Sequence, residues 1–287
     1  RVMPIRSPLH KAAWWMGGWL LLMVVIAVAG REALRHMTVF QLMELRSVIG
    51  MLMLWPLVRA AGGLDAMRTA RLPQHVVRNT VHYVAPYGWM AALLLIPLAQ
   101  VVAIEFTMPI WSALLAVVFL GERMNTARVL AILLGLAGVW VIVRPDAATG
   151  LTPGQLIALL AAGGFAVSVV LVKSLTRTDA AVVVSFWMLV VQSLIGLAPA
   201  IWFWQWPPAA AWGWVVVVAF CGTYSHYCFA RAMQHAPATV VVPMDFLRVP
   251  LSAAAGWLVY GERVDIYTVA GVVLILVANL LNLRKAP

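Results

Sequence analysis

PLAQVVAIEFTMPIWSALLAVVFLGERMNTARVLAILLGLAGVW, residues 97–140, holds two long apolar runs joined by the turn Gly121-Glu122-Arg123. PATVVVPMDFLRVPLSAAAGWLVYGERVDIYTVAGVVLIL, residues 237–276, repeats it at a shift of 140. Between Tyr87 and Leu136, 14 of 50 positions match their counterparts, enough to fix the register. Tyr87 meets Tyr227, Pro97 meets Pro237, Phe106 meets Phe246 and Ser112 meets Ser252, while Glu105 meets Asp245. A shift of 146 aligns the earlier part, placing Gly17-Gly18 on Gly163-Gly164 and Ser47-Val48-Ile49-Gly50 on Ser193-Leu194-Ile195-Gly196. The chain is therefore two copies of one unit, residues 1–149 and 150–287.

Around these anchors the sequence divides into apolar runs of about 20 residues, the length that crosses a bilayer core as a helix. The spacing predicts ten of them, at 12–30, 39–60, 76–96, 98–120, 125–144, 154–174, 179–204, 210–234, 237–260 and 265–283. Five helices per copy is an odd number, so the second copy enters the membrane from the opposite face. The expected fold is an all-α integral membrane protein, ten transmembrane helices arranged as two inverted five-helix repeats around a central cavity. That build is common in secondary transporters, whose halves exchange inward-open and outward-open states.

Composition leads to the same class. Apolar residues make up 64% of the 287 and charged residues 10%, which cannot furnish a water-soluble surface. The net charge of +10 is explained by where the basic residues fall. With the N-terminus in the cytoplasm, 14 of the 20 Lys and Arg lie on that side and four, Arg31, Arg35, Arg144 and Arg263, on the other. This is the positive-inside pattern, and it predicts a multi-pass protein of the bacterial inner membrane with both termini cytoplasmic. Its expected partners are the bilayer and a small-molecule substrate, with no nucleic acid, and a monomer is expected. Residues 1–29 resemble a secretory signal with Ala27-Val28-Ala29 as a cleavage site, but this segment has a counterpart in the second copy, which argues against removal. Cys221 and Cys228 lie seven residues apart on one predicted helix, about 10 Å along its axis and too far to bridge. No metal-ligand spacing and no cofactor motif is present, and neither a nucleophile elbow nor a paired catalytic carboxylate suggests an enzyme.

The two quoted stretches, together with LRSVIGMLMLWPL at 45–57, resemble the drug/metabolite transporter (DMT) superfamily, and within it the EamA-type, YddG-like amino-acid exporters. The resemblance covers nearly the whole chain. It implies ten helices, cytoplasmic termini, a central cavity lined by the first four helices of each half, and the fifth and tenth as outer supports.

A charge inside a bilayer costs at least about 2.5 to 3.5 kcal/mol, so each one needs a partner or water. Glu44, Arg46, Glu105, Asp245 and Arg248 fall inside predicted helices. Asp245, Arg248 and Ser252 share one helical face, opposite the equivalent stripe headed by Glu105. Asp245 or Glu105 suits an ammonium group, and the guanidinium of Arg248 suits a carboxylate. The alternative is that Asp245 and Arg248 merely neutralise each other, in which case lipophilic or quaternary cations and other drugs fit the same fold. Glu44 and Arg46 point to different faces, and Arg46 is expected to pin its helix to a neighbour. Pro109 and Pro250 sit mid-helix as hinges or static kinks. His82, Tyr83 and Tyr87, with Thr223 and Tyr227, form a polar aromatic set, in which His82 also fits a plain hydrogen bond between helices. Trp111 and Trp187 lie deep enough to stack on substrate, though packing is the default reading for either. Trp14, Trp15, Trp202, Trp204, Trp206, Trp212 and Trp214 read as interfacial anchors. Glu122 and Glu262 read as parts of a structural turn, with Asn125 and Asp265 as caps of the following helices. The resulting expectation is export of amino acids, aromatic ones included, by alternating access.

Overall fold

The computed structural model describes residues 6–108, 110–111, 115, 126–144, 151–175, 178–235, 244–245 and 247–284. Among them run ten α-helices and no strand: α1 Arg6–Ala33, α2 Val39–Ala60, α3 Leu72–Leu93, α4 Leu98–Glu105, α5 Thr126–Val143, α6 Pro153–Leu175, α7 Ala181–Trp202, α8 Ala209–His235, α9 Arg248–Tyr260 and α10 Ile266–Arg284. Each overlaps one of the ten predicted runs, α4 and α9 covering only 98–105 and 248–260 of the predicted 98–120 and 237–260. By length and apolarity alone, the segments His10–Ala33, Val39–Ala60 and Ala181–Trp202 are sufficient to cross a membrane, and Ile132–Ile142, Pro153–Ser168 and Ile266–Ala278 are shorter apolar segments.

Two compact units divide the chain. The first comprises Arg1–Val76 with Leu175–Arg248, the second Val77–Ser174 with Val249–Pro287. Sequence halves and spatial units are thus different partitions, because each unit takes elements from both copies.

In the first unit α1 packs along α8, and α2 lies against both α7 and α8. Thr38 caps α2 by accepting the Gln41 N–H at 3.3 Å. The helix ends at Gly62 and Gly63, whose φ values of 113° and 78° suit glycine; their N–H groups bond the carbonyls of Arg59 and Val58. This turn feeds a 3-10 turn, Leu64–Met67, whose Met67 is buried among Leu54, Val58, Val183, Met188 and Leu189.

In the second unit α5 and α10 are in close contact at glycines. A Cβ added to Gly138 would lie 2.8 Å from the Gly271 carbonyl, and one added to Gly271 would lie 2.6 Å from the Gly138 carbonyl. No larger residue fits at either position without separating the helices. Gly135 is part of the same contact, against Ile110 and Ala278. Asp265 caps α10, accepting the Thr268 N–H at 2.7 Å, as its sequence position predicts.

One predicted hinge takes a different form. Pro250 lies in the first turn of α9, which begins at Arg248, and not midway along a longer helix. A first-turn proline gives up an N–H that has no intrahelical partner anyway, so it starts the helix where a mid-helix proline would kink it. Pro109 lies outside the described residues.

Candidate functional site

Asp245 precedes the first turn of α9, and its carboxylate meets two donors within the first unit. Arg248, one turn on, donates from its guanidinium to Oδ2 at 3.1 Å. Trp19, midway along α1, donates its indole N–H to Oδ1 at 2.6 Å. The ion pair is withdrawn from solvent, with side-chain exposures of 4% for Arg248 and 14% for Asp245. Burial at that level makes the pair interdependent, since removing either charge strands the other in a low-dielectric setting.

Aromatic groups surround it. The Arg248 guanidinium lies 5.8 Å from the Trp19 ring, and that ring meets His226 at 5.8 Å and Phe229 at 4.8 Å. One helical turn earlier, Trp15 makes an edge contact with Tyr227 at 5.8 Å and carries the Arg231 guanidinium at 5.3 Å. Trp15 and Trp19 are four residues apart on α1, as are Tyr227 and Arg231 on α8, so the rows face each other along the α1–α8 contact. Trp15 is therefore a wall of this cluster.

The second unit holds a parallel feature. Glu105 closes α4 and accepts the indole N–H of Trp89 at 2.9 Å. Glu105 and Asp245 are counterparts across the repeat, and both are bound by a tryptophan, Trp89 from α3 and Trp19 from α1. Composition alone gave no sign of either indole, because tryptophan counts as apolar. The usable signal was the need of each carboxylate within a predicted apolar run for a donor.

The other predicted residues separate by role. His82 is bonded to Ser168 at 3.0 Å between α3 and α6, the plain structural arrangement. Tyr83 is buried, Tyr87 half-buried, and Trp111 donates to Thr107 within its own turn at 3.2 Å. Ser252 is buried in α9. In the first unit, Thr223 is buried against Gly50, and Trp187 donates to the Met67 carbonyl at 2.9 Å, a packing role. Glu44 and Arg46 turn to separate partners on α7: Ser193 donates to Glu44, and Arg46 donates to the Gln192 side-chain oxygen. Arg46 thus ties α2 to α7 through an amide side chain. Glu262 accepts the Leu98 N–H at 2.9 Å, so the second Gly-Glu-Arg turn also caps the start of α4.

Set beside known proteins, the chain matches the EamA-like transporter family over residues 10–144 and 152–284. It is 33% identical over 225 residues to a riboflavin transporter of Rhizobium johnstonii, covering 78% of this chain and 74% of the relative. It is 28% identical to the pseudopaline exporter CntI of Pseudomonas aeruginosa, covering 86% and 87%. It is 24% identical to an S-adenosylmethionine uptake transporter of Rickettsia bellii, covering 92% and 91%. A solved crystal structure superimposes with a TM-score of 0.66 at 21% identity over 95% of this chain and 96% of that one, a likeness of fold.

Proposed function

We propose that this chain, which belongs to the EamA-like transporter family of the drug/metabolite transporter superfamily, carries a small metabolite that joins an aromatic ring to a head group bearing both charges. The observation that carries the reading is the buried Asp245–Arg248 pair walled by Trp19. A zwitterionic head group presents the same two charges in reverse, its carboxylate to the Arg248 fork and its ammonium to Asp245. Exchanging an internal ion pair for two external ones keeps every charge compensated at each stage. The aromatic rows from α1 and α8 would receive the ring. Aromatic amino acids satisfy this description. So does S-adenosylmethionine, which one relative takes up; riboflavin, moved by another, satisfies its aromatic half.

The relatives include both uptake and export proteins, so direction is part of the proposal: we infer export of amino acids into the periplasm by alternating access. Inverted repeats support such a cycle, and two contacts favour them. Arg46 bonds Gln192, its own counterpart at the 146 shift, the kind of self-pairing that a twofold relation between α2 and α7 would produce. In the second unit Gly135 faces Ala278 while Gly138 faces Ile275, a reciprocal pairing at the 140 shift.

A second reading is efflux of lipophilic cations. It is favoured by the same ion pair, since Asp245 cancels the charge by which Arg248 would repel a cation. Uptake of labelled tryptophan, S-adenosylmethionine, riboflavin and a quaternary ammonium ion into proteoliposomes, with and without a pH gradient, tests both. Flux of the zwitterions that Arg248→Gln abolishes is expected. Flux of the quaternary cation alone, unaffected by Arg248→Gln, would favour the second reading.

A further inference from the structure

Between α2 and α3, and again between α6 and α7, the first unit carries short connections rich in polar side chains. Loop charges place both on the cytoplasmic side. Asp179, just before α7, accepts from the Thr69 hydroxyl at 2.7 Å and is bonded at the same oxygen to His75 Nε2, also at 2.7 Å. The Thr69 hydroxyl in turn accepts the Arg71 backbone N–H at 3.0 Å, and the Arg71 guanidinium reaches the Thr178 hydroxyl at 3.2 Å. Below them Trp187 of α7 donates to the Met67 carbonyl at 2.9 Å and meets the His75 ring at 6.5 Å. Four side-chain links thus tie two connections that are about 100 residues apart in sequence.

This cluster differs from an ordinary surface ion pair, which contributes little because water competes for both partners. The His75 side chain is 0% exposed and that of Asp179 is 11% exposed. Met67, at the base, is anchored in an apolar core formed by α2 and α7. The clasp is also imperfect. His75 Nδ1 is buried with no hydrogen-bond partner among the described residues, a cost in the closed arrangement that water would relieve on opening. A contact built of several bonds, yet holding one unsatisfied nitrogen, is suited to closing and releasing.

Its place in the chain matters as well. The boundary between the two units crosses α3 after Val76 and α6 after Ser174. His75 immediately precedes the first crossing, and Asp179 follows the second by five residues. Both residues of the clasp thus belong to the first unit and lie close in sequence to where the chain leaves and re-enters it.

We propose that the Thr69–His75–Asp179 cluster is the cytoplasmic latch of the transport cycle, closed here and released when the site opens to the cytoplasm. The proposal rests on the transporter reading above. A latch shifts a conformational population, so removing it favours the cytoplasm-open state from either direction of approach.

The test uses the full chain in vesicles, with Cys221→Ser and Cys228→Ala as background and one new thiol, Met67→Cys, beneath the latch. A membrane-impermeant maleimide supplied from the cytoplasmic side is expected to label Cys at 67 slowly, and at least tenfold faster once Asp179→Ala is added. His75→Gln should act in the same direction with a smaller effect. Leu64→Cys, at an exposed position of the same turn, is expected to label fast in every background. Should Met67→Cys itself disturb the core, hydrogen exchange of the 66–76 backbone in Asp179→Ala against the parent gives the same comparison. In transport of whichever probe the parent moves, Asp179→Ala should lower the half-saturating concentration from the cytoplasmic side and raise it from the other. If the parent moves a probe and Asp179→Ala changes neither labelling nor this asymmetry, the latch is refuted while the transporter reading stands. If the parent moves no probe, the transporter reading fails and the latch with it.

Discussion

Replacing one or both members of the Asp245–Arg248 pair separates a coupled buried site from two independent polar residues. Arg248→Met removes the guanidinium from a side chain only 4% exposed and leaves Asp245 with the Trp19 indole as its donor. Breaking a buried pair from one side typically costs about 3 to 5 kcal/mol. The indole bond, an assisted one worth about 1.5 to 3 kcal/mol, remains and places this variant at the low end, near 3. Asp245→Asn keeps an oxygen for Trp19 and for Arg248 but removes the charge, so about 2 kcal/mol is expected. In the double variant no charge is left uncompensated, and about 3 kcal/mol replaces the additive sum of about 5. The coupling of about 2 kcal/mol lies well above the roughly 0.5 kcal/mol to which independent sites add. Unfolding in a single detergent, followed by tryptophan fluorescence against denaturant, measures all four corners of the cycle. Additivity within about 0.5 kcal/mol would show that the pair is not the interdependent unit described, and the head-group exchange built on it would fail.

Trp89→Phe should cost about 1 to 2 kcal/mol by leaving Glu105 short of a donor, and Trp89→His should recover part of the loss; the same denaturation assay reads both. Gly271→Val should force α5 from α10, since its Cβ would meet the Gly138 carbonyl at 2.6 Å, and a loss of at least about 2 kcal/mol is expected, visible as a fall in melting temperature. Asp179 and Asp265 predict the acid limb of stability. Burial raises each carboxyl, but bonds from His75, Thr69 and Thr178 in the first case, and from Thr268 and Arg144 in the second, outweigh it and leave both below 3.8. A carboxylate with a depressed folded-state pKa contributes stability that is present above 3.8 and lost as pH falls through the lowered value. Melting temperature should therefore not change on their account from pH 7 to 5 and should drop below about pH 3.8, less steeply in Asp179→Asn.

Helix positions were legible because length and apolarity are properties of contiguous residues, and the repeat fixed their register. The spatial units were not, because α1 packs along α8 and α2 along α7, and no local pattern encodes such partners. Within the site, Asp245 and Arg248 were visible as charges out of place, and their spacing of three anticipated the bond between them. Trp19 and Trp89 were missed, since an indole donor looks apolar until a buried acceptor is known to face it. His75 and Asp179 were passed over for a different reason. They sit near helix ends with no spacing that marks a site, and only the folded connections show them to be shut away together.

The central claim, that a head group carrying both charges replaces the Asp245–Arg248 pair, is tested most directly by proteoliposome flux of tryptophan against tryptamine and indole-3-propionate, which keep the ring and lack the carboxylate or the ammonium group respectively. The account predicts that tryptophan is carried at least tenfold faster than either, and that Arg248→Gln and Asp245→Asn each erase the preference. Equal flux of all three, or a preference for tryptamine that persists in Arg248→Gln, would contradict it.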